Sequence, residues 1–164
     1  MTNENPGGMT KAAFPFELVD SEGNAHSFRA TPLNDLKHDE LDNWVRARVI
    51  NSARLAAPKI TEHSTAEEIA ERQELLNIAM QNSVGMSMFN GMGQTVLMTP
   101  QGCAELCWQL IRDEHPGVEA KNLVSFFRIT ENIERLGEAH RTVNPSMSKR
   151  IDDGGSEGNG ESLT

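Results

Sequence analysis

The residue types best able to do chemistry in this chain are Cys103, Cys107 and His115. Two thiols one helical turn apart, with a histidine downstream, have the makings of half a metal site. Structural zinc, however, takes four ligands in defined pairs, and the chain holds only two cysteines. Buried core cysteines are the better reading. His38-Asp39 has the form of half a metal-hydrolase dyad, but no second histidine-rich motif or carboxylate cluster stands at a matching helical spacing. It reads as the start of a helix, where acidic groups are favoured by the positive end of the dipole. The five histidines, His26, His38, His63, His115 and His140, are scattered singly. No nucleophile sits in a recognisable turn beside a base. Gly91-Met92-Gly93 lacks the strand, helix and lysine that a phosphate-cradling loop requires. The expectation is a binding protein with no catalytic residues, no metal site and no cofactor.

Binding chemistry is better represented. Of eight methionines, Met80, Met86, Met88, Met92 and Met98 fall in one window beside a glycine-rich break. Methionine is flexible and polarisable, so a cluster of it can repack against varied apolar segments. The partner-binding candidates are Met80, Val84, Met86, Met88, Phe89, Met92 and Met98. The alternative, that these side chains fill irregular gaps in the chain's own core, stays open at this point. Glu67, Glu68, Glu71 and Glu74 make an acidic helix face, which reads as a solvated surface with contacts to neighbours such as Arg72.

The elements that would position these residues follow from periodicity. Phe14, Phe16 and Leu18 alternate with other residues, as do His26 and Phe28, across the turn formers Asp20 to Asn24; this predicts a β-hairpin. Leu41, Trp44, Val45, Arg48, Val49 and Ser52 recur at helical spacing, predicting a first helix from about Asn34 to Ala57, stopped by Pro58. Thr65 with Glu68, and Ser64 with Glu67, match capping boxes. Ile69, Leu76, Met80, Ser83, Val84 and Ser87 then predict a second helix running to about Phe89. Gln94 to Met98 reads as an extended connection or short strand. Thr99-Pro100 opens a third helix with Cys103, Leu106, Cys107, Leu110 and Ile111 as its buried stripe. A fourth, from about Glu119 to Arg141, turns Leu123, Phe126, Phe127, Thr130, Ile133 and Leu136 inward and pairs antiparallel with the third.

The fold class expected is therefore mainly α, an N-terminal β-hairpin followed by about four helices. A chain of 164 residues suits one domain, with 37% hydrophobic and 24% charged residues. Residues 1–13 read as a flexible arm, 14–142 as a single mainly helical domain, and 143–164 as a disordered acidic tail. The formal charge of −9 opposes broad nucleic-acid binding. Nothing approaches the roughly 20 apolar residues of a membrane span, so no membrane partner is expected. Two cysteines in one predicted helix fit a reducing compartment. The unpaired edge of a hairpin suggests self-association.

Two stretches carry a family resemblance. Phe28-Arg29-Ala30-Thr31-Pro32-Leu33-Asn34-Asp35-Leu36, followed by Leu41-Asp42-Asn43-Trp44-Val45-Arg46-Ala47-Arg48, resembles the opening of the tail assembly chaperones of long-tailed bacteriophages. In that family a strand ending in Arg-x-x-Pro-Leu leads into a helix carrying a tryptophan. Thr99 to Pro116, with its Leu106-Cys107-Trp108 centre and its Arg112-Asp113-Glu114-His115-Pro116 end, is similar to a later helix of the same family. The resemblance implies a small helical protein of the host cytoplasm that binds the tape measure protein during tail-tube assembly, without an active site. A head-tail connector or completion protein retained in the virion is the alternative. A DNA-binding factor fits less well, because Glu119, Glu131 and Glu134 interrupt Lys121, Arg128 and Arg135.

Overall fold

A computed structural model describes residues 12–146. The first strand, β1 (Phe14–Val19), pairs antiparallel with β2 (Ala25–Ala30), setting Phe16 opposite Phe28 and Leu18 opposite His26. Asp20 closes the turn: its Oδ1 accepts the amides of Glu22 and Asn24, both at 2.9 Å. Gly23 takes φ +87°, a conformation other residues rarely adopt. Pro15 lies on β1, where its missing N–H suits a strand edge.

Parts of both edges of this hairpin are capped within the chain. Asn132 stands in for a third strand, its Oδ1 accepting Val19 N–H at 2.9 Å and its Nδ2 donating to Val19 O at 2.7 Å. On the β2 side, Arg29 N–H donates to His115 Nε2 at 3.0 Å and Thr31 N–H to the Leu110 carbonyl at 2.7 Å. Part of the edge expected to drive self-association is thus occupied, by side-chain amide and imidazole chemistry more than 80 residues away.

Six helices and a 3-10 turn follow among the described residues: α1 (Asp35–Ala56), α2 (Ala66–Val84), α3 (Gly91–Leu97), α4 (Pro100–Ile111), α5 (Ala120–Leu123), the turn Phe126–Arg128, and α6 (Thr130–Val143). The mainly helical class with its N-terminal hairpin is as expected, but the helices number six rather than about four. Three corrections account for the difference. The second helix ends at Val84, because Gly85 follows, instead of reaching Phe89. Gln94 to Met98, expected to be extended, belongs mostly to α3, which Asn90 starts by accepting Gly93 N–H at 2.8 Å. The fourth helix is broken into α5, the 3-10 turn and α6, because Ile129 is extended and the Phe126 carbonyl turns to Asn132 Nδ2 at 2.8 Å. The arm at 1–13 and the tail at 143–164 fall mostly outside the described residues.

One core cluster unites both strands, the first half of α1 and helices α3 to α6. Leu18, Leu41, Val45, Cys107, Leu110, Ile111, Leu123, Phe127 and Leu136 lie at its centre. No residue of α2 belongs to it. Among the described residues, no helix is long and apolar enough to cross a membrane.

Candidate partner-binding surface

The surface is built on α1, which two polar locks fix across α4. Lys37 is buried, with Nζ 2.6 Å from Asp113 Oδ2 and 3.2 Å from Thr31 Oγ1. Three residues on, Glu40 Oε2 accepts from Gln109 Nε2 at 2.9 Å and Arg112 Nη1 at 2.6 Å. The Gln109 bond first, then Arg112, holds the Glu40 carboxyl below its ordinary range; the Lys37 bond does the same for Asp113. Glu105, beside them, is pushed upward by burial. Residues spaced one turn apart on α1 thus meet Gln109, Arg112 and Asp113 on α4 and just beyond it. The sequence carries no local sign of this, since the partners lie about 70 residues away.

From that base, α1 also organises the α2–α3 connection. Asp42 Oδ1 accepts Met88 N–H at 2.7 Å, and Arg46 Nε donates to the Met86 carbonyl at 3.1 Å. These bonds draw the backbone inward, and the Met86 and Met88 side chains enter the core. His38 completes the contact, with Nδ1 3.2 Å from Met88 Sδ and its ring stacked on Phe89 at 5.6 Å between centroids. Asn90 Nδ2 closes the turn by donating to the Gly85 carbonyl at 2.6 Å. Gly93 must be glycine here, because a Cβ would lie 1.7 Å from the Ser87 carbonyl oxygen.

The candidate residues therefore divide. Met86 and Met88 are core side chains, a correction to their expected place on a binding surface; the long-range bonds from Asp42 and Arg46 are the reason. Met80, Val84, Phe89 and Met92 remain on the surface, from 40% exposed at Phe89 to 75% at Val84. They follow one another through the end of α2, the turn and the start of α3. Met98 is also exposed but sits in another setting. It borders an open groove of about 810 Å³ against Glu131, Ile133, Glu134 and Glu138 of α6, which no α2 residue lines. From Leu75 through Ala104 the chain has no charged residue. The shoulder formed by Met80, Val84, Phe89 and Met92 is thus apolar and uncharged within its own segment, suited to burial against another apolar surface.

The residues that suggested chemistry are engaged elsewhere. Cys103 and Cys107 are buried, and burial pushes both thiols above their ordinary range, with Cys103 adding to the rise at Cys107. Thiols so placed make poor nucleophiles. His115 is occupied at the β2 edge, so the three do not converge. Among the described residues, no group of three or more histidine, cysteine, aspartate or glutamate side chains is placed to hold a metal. Asp20 is held well below the ordinary carboxylate range by His26, 2.9 Å away, and by Asn24; this is turn chemistry at the far end of the hairpin.

Set against known proteins, the chain matches no family, no curated protein and no solved structure.

Proposed function

We propose that this chain is a non-enzymatic assembly chaperone of the long-tailed bacteriophage type, which binds the tape measure protein in the host cytoplasm and keeps it soluble while the tail tube is built. The observation that carries the reading is the uncharged shoulder of Met80, Val84, Phe89 and Met92. A long helical client presents repeated apolar ridges, and a flexible methionine surface accepts such ridges without demanding one sequence. Covering the exposed parts of four such side chains contributes on the order of 4–6 kcal/mol before the cost of association. That magnitude suits a grip that forms and releases. The net charge of −9 favours solubility of the complex.

Co-expression with the tape measure protein of the same phage tests this. The unmodified chain should raise the soluble fraction of the client, and the double variant Met80→Asp, Met92→Asp should lose that effect while keeping its helical circular dichroism. Both side chains are more than half exposed, so the folded monomer has little to lose. Recovery of this chain at fixed stoichiometry in finished particles would overturn the chaperone reading in favour of a virion connector.

A further inference from the structure

The far end of the α1–α2 hairpin has almost no core of its own. The buried residues of α1, Lys37, Leu41 and Val45, all belong to its first half. Those of α2, Ala79 and Ser83, belong to its second half. Between them the two helices run beyond the body, where Leu55 is 87% exposed and Ile60, Ile69 and Leu75 are all more than 40% exposed. Helices of this length are marginal in water without packing on an amphipathic face. The exposed aliphatic side chains at this end are open to a partner, and the charges around them indicate which kind.

Between Asp42 and Glu62 the charged residues are all cations: Arg46, Arg48, Arg54 and Lys59. From Glu62 to Leu75 they are Glu62, Glu67, Glu68, Glu71 and Glu74, with Arg72 the one cation. Arg72 is committed to the Pro58 carbonyl at 2.6 Å and Arg46 to that of Met86. Among the described residues, the salt bridges involve none of Arg48, Arg54, Lys59, Glu67, Glu71 or Glu74. The outer end of α1 with the loop after it thus carries cations outside these salt bridges, and the outer end of α2 carries such anions.

We infer that a second copy of this chain covers the hairpin, α1 of each copy lying along α2 of the other in a two-fold four-helix arrangement. A foreign helix of one sign satisfies one half of the surface and is repelled by the other. A second copy satisfies both at once, because a two-fold interface makes every contact twice. The aliphatic residues Leu55, Ile60, Ile69 and Leu75 supply the burial, and the charges set which helix meets which.

The test is sedimentation equilibrium of the full chain with two charge-reversed variants. One carries Glu67→Lys, Glu71→Lys and Glu74→Lys; the other carries Arg48→Glu, Arg54→Glu and Lys59→Glu. Each alone sets like charges against each other and should weaken the dimer by about tenfold or more in Kd. An equal mixture restores both attractive contacts and should recover a heterodimer of near-original affinity. Leu55→Asp, at a side chain almost wholly in water, should also favour the monomer without loss of helical signal, which guards against a charge variant that fails to fold. A parent chain that stays monomeric at high concentration, variants that dimerise as well as the parent, or a mixture no tighter than its components would each overturn the inference.

Discussion

Removing the two members of the Lys37–Asp113 pair should have unequal consequences. The Lys37 side chain is 2% exposed and that of Asp113 is 56% exposed, although their charged atoms are only 2.6 Å apart. Asp113→Ala strands an ammonium group inside the protein with the Thr31 hydroxyl, 3.2 Å away, as its remaining bonded neighbour. Breaking a fully buried pair in this way costs about 3–5 kcal/mol. Because Asp113 stands half in water, its attraction is screened, and about 2 kcal/mol is the better figure here. Lys37→Met removes the buried charge itself, keeps an unbranched side chain of similar size, and leaves Asp113 free to hydrate. Thr31 Oγ1 retains its bond to the Leu110 carbonyl at 3.0 Å. That variant should stay within about 1 kcal/mol of the parent, in either direction. Urea unfolding at pH 7, followed by circular dichroism, measures both variants and the double substitution. The double should resemble Lys37→Met, since without the ammonium Asp113 has little left to stabilise. Equal costs for the two single variants, or a larger one for Lys37→Met, would refute the claim that the desolvated ammonium sets the energy.

Three further outcomes follow from named contacts. Burial, with smaller contributions from His38 and Arg141, holds His140 down to about 4 from an ordinary 6.5, and among the described residues its Nε2 has no hydrogen-bond partner. The unfolded chain takes up this proton before the folded one, so stability is complete above about pH 6.5 and falls as pH drops toward 4, by roughly 3 kcal/mol at most. His140→Gln should flatten the urea midpoint between pH 7 and 4.5, and a slope equal to the parent's would sink the assignment. Asn132→Asp keeps the acceptor for Val19 N–H but sets a carboxylate against the Val19 and Phe126 carbonyls; it should lose roughly 2–4 kcal/mol at neutral pH, seen as a lower thermal midpoint that recovers in part on acidification. Gly93→Ala, with its Cβ 1.7 Å from the Ser87 carbonyl oxygen, should destabilise by about 2–3 kcal/mol, whereas Gly91→Ala, with nothing within 4 Å, should change the unfolding midpoint little.

Where local chemistry decides, sequence and structure agree closely. The Thr65–Glu68 capping box forms reciprocally, with Glu68 N–H donating to Thr65 Oγ1 at 3.2 Å and Thr65 N–H to Glu68 Oε2 at 2.8 Å. Thr99 caps α4 with Pro100 in its first turn, and of the expected stripe Cys103, Cys107, Leu110 and Ile111 are buried while Leu106 is half-buried at the margin of the core. The failures come from a distant group that outweighs local preference, or from local caps that residue type alone did not weigh. No proline stands between Glu119 and Arg141, and the glycine there, Gly137, lies inside α6; the break comes from Asn132, which must reach Val19 on β1 and the Phe126 carbonyl together. Gln94 to Met98 contains Thr95 and Val96, good strand residues, yet the cap from Asn90 and the close approach permitted by Gly93 favour a helix.

The same distinction explains why a methionine-rich window gave the right neighbourhood for a surface and the wrong membership. Residue type alone makes Met86 and Met92 equivalent. What separates them is the path of the backbone between α2 and α3, and that path is set by Asp42 and Arg46, which hold Met88 N–H and the Met86 carbonyl from the facing side of α1. Once those two points are fixed, the side chains before and after them are left outside the core. α1 itself is held by Lys37 and Glu40 against Asp113, Arg112 and Gln109. The exposed shoulder is thus positioned by polar residues that never touch it. A substitution in either lock should alter binding by moving α1, and should do so together with a loss of stability, whereas Met80→Asp and Met92→Asp should alter binding alone.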